Sequence, residues 1–118
     1  MANIFFLADS LPVGGVTTYL RTIAGALAAR GHAVTVLINE GAPPAGIWPD
    51  AVTLQVLPVR NHHTRASLTG QLRKILLRQK AEWVFFNNCY YMDSYALRGT
   101  AICGVYVVHA NGEEETGH

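Results

Sequence analysis

The chain has 118 residues, of which 50% are hydrophobic and 14% charged, and its formal net charge is +1. Such a length and composition give one domain with a real core and exclude a disordered chain. The near-neutral balance, with no pooling of basic and aromatic residues, speaks against nucleic acid as a partner, and no apolar run reaches the ~18 residues of a membrane-crossing helix.

The N-terminus, "MANIFFLADS", has no basic leader and carries Asp9 early, unlike a secretory signal. A cytoplasmic protein is expected, with Cys89 and Cys103 as two buried, reduced thiols outside any CxxC pair. Ile4–Ala8 is an apolar run of strand length. Pro12 and the Gly14-Gly15 pair then mark a loop. Val16, Tyr19, Leu20, Ile23, Ala24, Leu27 and Ala28 follow at the spacing of one helix face, and Arg30-Gly31 supplies the stop. Ala33–Ile38 is β-branched and strand-like.

After a Gly- and Pro-rich loop at 40–50, Val52, Leu54 and Val56 alternate with polar residues, predicting a more exposed strand that ends at Pro58. A polar connector, "RNHHTRAS", leads into a second amphipathic helix marked by Leu68, Leu72, Ile75 and Leu76. The stretch from Arg65 to Lys80 is locally basic, and its alternation with leucines reads as a solvated helix face. Glu82–Phe86 is a buried-strand pattern that stops at Asn87-Asn88, and Tyr91–Arg98 is a weakly marked short helix. Ile102–His109 is a fifth apolar run, closed by a histidine and followed by a polar tail.

Strands alternating with helices predict an α/β fold, a Rossmann-like parallel sheet with helices on both faces and strand order 3-2-1-4-5. The fifth strand lacks a following helix, so the chain reads as one incomplete domain with an uncovered strand face that favours self-association. In open α/β sheets ligands bind past the carboxyl ends of the strands, where the strand order reverses. That edge collects Asp9, Ser10, Gly14 and Gly15 from the first strand and its loop, Asn87 and Asn88 from the fourth, and His109 from the fifth. Glycines at a helix N-terminus admit a close anion, because unpaired N–H groups and the helix dipole favour negative charge there. A glycine needed only for a tight turn explains the pair equally simply. Neither GxGxxG nor GxxxxGK[ST] is present, which argues against a dinucleotide or an NTPase phosphate loop. The histidines have no Cys or carboxylate at ligand spacing, so no metal is expected. His32 reads as a turn residue, and Tyr91 with its neighbours Tyr90 and Tyr95 reads as core or as a surface for sugar rings.

"DSLPVGGVTTYLRTIAGALAARGHAVTVL", "NNCYYMDSYALRG" and "VYVVHANGEE" resemble glycosyltransferase family 4 across essentially the whole chain. The resemblance implies the N-terminal, acceptor-side domain (1–118) of a GT-B fold, with a donor-binding C-terminal domain lying outside this sequence. It implies retaining transfer from a nucleotide-diphosphate sugar to a sugar, lipid or other acceptor, without metal or cofactor. The implied whole protein is cytoplasmic, with peripheral association at the cytosolic membrane face, and this domain alone is expected to be inactive. Gly14 and Gly15 would face the donor diphosphate and His109 the donor sugar; Asp9, Ser10, Asn87, Asn88, Tyr91 and Asn111 are further candidate substrate contacts. Four residues at three places depart from the family pattern. Thr17 stands where many members have Glu, Asn87-Asn88 replaces a "HAH"-like ending, and Asn111 rather than the histidine precedes Gly112. Asn111 therefore competes with His109 for the histidine's role. The alternative is a free-standing flavodoxin- or receiver-like module binding a phosphate or nucleotide.

Overall fold

The computed structural model describes residues 1–8, 15–38, 46–56, 65–87 and 94–107. In chain order these form β1 (Asn3–Ala8), α1 (Gly15–Ala29), β2 (Ala33–Ile38), β3 (Val52–Val56), α2 (Arg65–Arg78), β4 (Trp83–Asn87), a 3₁₀ turn (Ser94–Leu97) and β5 (Cys103–Val107). All neighbouring strands pair in parallel, in the order β3-β2-β1-β4-β5. The expected order is therefore the observed one, with the reversal between β1 and β4.

Near-continuous apolar strands are required because both faces of the central strands are covered. On one face Ile4, Phe6 and Ala8 of β1 join Val34, Val36 and Ile38 of β2 beneath Leu20 and Ala24 of α1. On the other, Phe5 and Leu7, Leu37, Val84 and Phe86 pack with Leu72 and Leu76 of α2 and Ala96 of the 3₁₀ turn. The period of two along each strand thus splits one apolar run into two cores.

Both helices close with the same hydrogen-bond pattern. After α1, His32 N–H donates to the Leu27 carbonyl and Gly31 N–H to that of Ala28, with Gly31 at φ 92°. This is the Schellman ending that the Arg-Gly pair predicts. After α2, Ala81 N–H reaches the Leu76 carbonyl and Lys80 N–H that of Leu77, with Lys80 at φ 58° where glycine is usual. Asn3 of β1 offsets that strain, since its side-chain amide donates to the Gln79 and Lys80 carbonyls. His32 is a turn residue whose Nδ1 accepts the Ala2 N–H at 2.9 Å, tying the N-terminus to the α1–β2 corner.

Several element ends differ from the sequence reading. α2 starts at Arg65, ahead of its first leucine, because Arg, Ala and Ser extend a helix without adding to its apolar face. β4 includes Asn87, and β5 spans Cys103–Val107, with His109 outside the described residues. The short helix is a single 3₁₀ turn, and Tyr91 precedes it. Cys103 is exposed, contrary to the buried thiol expected, because β5 is an edge strand and α1 sits over β2 and β3. Cys89 lies outside the described residues.

β5 contacts the 3₁₀ turn through a glycine. A Cβ on Gly104 would come within 2.7 Å of Leu97 Cδ1 and 3.4 Å of Phe86 Cε2. The Phe86 ring is itself held by Tyr106, stacked at 5.0 Å. Gly104→Val is expected to lower stability by about 1–3 kcal/mol through overpacking. The urea midpoint should fall clearly, and less for Gly104→Ala, since Leu97 Cδ1 is the movable end of its side chain.

Candidate active site

Register places all five strand ends at one level. Ala8 pairs with Ile38 on one side and with Asn87 on the other; Ile38 pairs with Val56, and Asn87 with Val107. These five residues share one sheet face, the α1 face, by the alternation of each strand. α1 begins at this same edge with Gly15, so the N–H groups of its first turn, which have no partner within the helix, are presented there. The edge between β1 and β4 is thus a strand-order switch point beside a helix N-terminus, the geometry in which open α/β sheets bind anionic ligands.

Two buried polar side chains mark this edge in an otherwise apolar layer. Asn87 is 2% exposed, and its Nδ2 donates to the Phe85 carbonyl at 3.1 Å. Thr17, in the first turn of α1, is 3% exposed. A buried polar group is costly unless bonded, so each must be held in place by its partners. Thr17 was not legible as a buried position from its residue type; its spacing of three from Leu20 is the signal that places both on the inner side of α1.

Of the expected site residues, the structure brings Gly15 and Asn87 to the same edge. Asp9, Ser10 and Gly14 fall in 9–14, Asn88 and Tyr91 in 88–93, and His109 and Asn111 in 108–118, all outside the described residues. Among the described residues no group of three His, Cys, Asp or Glu is gathered as a metal site would require.

A family model described as a glycosyl transferase 4-like domain matches residues 14–112. The chain belongs to this family. The match opens at Gly14, the residue before α1, and runs through all the later strands to Gly112. No curated protein matches the chain. The five-stranded parallel sheet agrees with a Rossmann-like glycosyltransferase domain, and family membership makes sugar donor and acceptor the general partner classes.

Proposed function

We propose that this glycosyltransferase domain is the acceptor-side half of a retaining, metal-independent enzyme of the cytoplasm, which moves a sugar from a nucleotide-diphosphate donor. The observation that carries the reading is the switch point between β1 and β4 with the N-terminus of α1 beside it. Gly14 and Gly15 face the donor diphosphate, and the backbone N–H groups of the first helical turn stabilise charge as it gathers on the leaving phosphate. His109 orients the donor sugar. Asn87 closes the end of β4 next to that site, and Asp9, Ser10, Asn88, Tyr91 and Asn111 are further substrate contacts, with Asn111 the rival of His109 for the donor sugar.

A second domain supplies the nucleotide site in this reading. Affinity in such clefts comes from closing two surfaces on one ligand, with water excluded between them. One surface alone offers a few solvated N–H contacts of roughly 1 kcal/mol each, against association costs of several kcal/mol. The 118-residue chain is therefore expected to show no transfer and to bind donors only in the millimolar range. Calorimetric titration with uridine, guanosine and adenosine diphosphate sugars tests this. Micromolar binding of any of them would overturn the two-domain reading in favour of a free-standing nucleotide-binding module. Self-association through the β4–β5 face, where Trp83 is 42% exposed beside Cys103, would show as concentration-dependent sedimentation.

A further inference from the structure

A parallel pair of strands needs a long crossover, which a helix usually fills. β4 and β5 are joined instead by residues 88–102, whose one helical feature among the described residues is the 3₁₀ turn Ser94–Leu97. A helical piece of 4 residues makes few hydrogen bonds of its own, so its carbonyls need outside donors. Thr100 serves Leu97, since its N–H and its hydroxyl both donate to that carbonyl, at 3.0 and 2.6 Å. Arg73 of α2 serves the residues on either side. Its Nη1 donates to the Arg98 carbonyl and, at 3.5 Å, to that of Ala96.

Packing alone would not hold the turn in one orientation. Ala96 is buried with Leu72 and Leu76 of α2, and Leu97 packs against the same core. Apolar contact is non-directional, so it sets how closely the turn approaches α2 and not how it is rotated there. Hydrogen bonds are directional, and a cation reaching the carbonyls on both sides of Leu97 fixes that rotation.

The orientation matters because of what precedes the turn. Asn88 and Tyr91 come between it and β4 in the chain, outside the described residues. The near end of that stretch is Asn87, buried and bonded to the Phe85 carbonyl. The far end is the turn that Arg73 holds. We propose that Arg73 is a positioning residue for the transfer reaction, which orients the 3₁₀ turn and so sets the far end of the stretch carrying Asn88 and Tyr91. The proposal rests on the reading of those two residues as substrate contacts. Arg73 acts through the turn and not on the substrate. A misplacement of about 1 Å can cost up to ~10²-fold, so losing one of two anchors is expected to cost roughly ten-fold.

Arg73→Met keeps the apolar stem and removes the donor. The test is steady-state kinetics of the enzyme carrying this domain, with donor and acceptor varied in turn and a thermal melt beside each variant. One of the two KM values is expected to rise roughly ten-fold, with kcat within about two-fold of the parent. A merely destabilised enzyme would have fewer active molecules, which lowers the apparent kcat and leaves KM alone. Arg73→Lys should recover most of the loss, because one nitrogen makes both contacts and an ammonium can replace it. Arg73→Gln, whose shorter amide misses the carbonyls, supplies the same readout if the methionine variant does not fold. Adding Arg73→Met to an N88A/Y91A enzyme should raise KM no further, since the contacts it positions are gone. A parent-like KM for Arg73→Met, or an equal rise in both backgrounds, would overturn the positioning role and leave the site reading standing. Parent-like KM values for N88A/Y91A itself would overturn the reading of those two residues and the proposal with it.

Discussion

Gly15→Val is expected to lower turnover of the enzyme carrying this domain by about two orders of magnitude, while leaving the melting temperature unchanged or slightly raised. Gly15 is the first residue of α1. Helical backbone lies near φ −60°, which any L-residue adopts, so the helix itself does not require glycine there. Valine is the better helix former of the two, which sets the sign of the stability change. What a branched side chain would obstruct is the approach of a ligand to the N–H groups of the first turn. Removing one such donor from a developing oxyanion typically costs ~10²–10³ in rate, because charge in a water-excluded site has no other partner. Steady-state kinetics with saturating acceptor, beside a thermal melt, separates the two effects. Equal losses of stability and turnover would mean that the glycine served only the turn, and parent-like turnover would remove the anion role altogether.

The fold was legible because its main signal is the alternation of short apolar runs with amphipathic ones. Ala33–Ile38 has the bounds that a β-branched run predicts, and Val52–Val56 carries the period-two alternation, with Pro58, the end expected from the sequence, outside the described residues. The order of the strands followed from right-handed crossovers and one reversal. Errors fell where polarity and structure part company. Asn87 is polar yet ends β4 as a buried residue, because its side-chain amide finds the Phe85 carbonyl two residues back. Cys103 is small and sits in an apolar run, yet it is exposed, since residue type does not report whether a strand lies at a sheet edge. The basic residues of α2 were legible as a helix face. Their separation from Leu72 and Leu76, with Leu77 left on the exposed side, emerged only once packing showed which side was buried. The candidate site was legible as an edge rather than as a set of side chains. A switch point follows from strand order alone, whereas Asp9, Ser10, Asn88, Tyr91, His109 and Asn111 lie outside the described residues, and their roles rest on no periodicity in the sequence.

His109→Ala is expected to lower kcat by ~10²–10³ in the same enzyme, with only a modest change in the acceptor KM. β5 delivers the chain to the site edge at Val107, level with Asn87 of β4, and His109 comes two residues later. In the proposed reading the imidazole holds the donor sugar by a hydrogen bond that strengthens as positive charge builds on the ring. An interaction made mainly in the transition state acts on kcat and kcat/KM together. A contact to the ground-state acceptor would raise its KM and leave kcat alone, so the split between these parameters tells the two apart. Asn111 is the competing residue, because it directly precedes Gly112, the place the family histidine often takes. An amide can hold the same hydroxyl, so the rates of the two alanine variants tell the residues apart. If His109 carries the contact, Asn111→Ala should preserve the parent's kcat. A large loss of kcat on Asn111→Ala, with His109→Ala mild, would transfer the role to the asparagine.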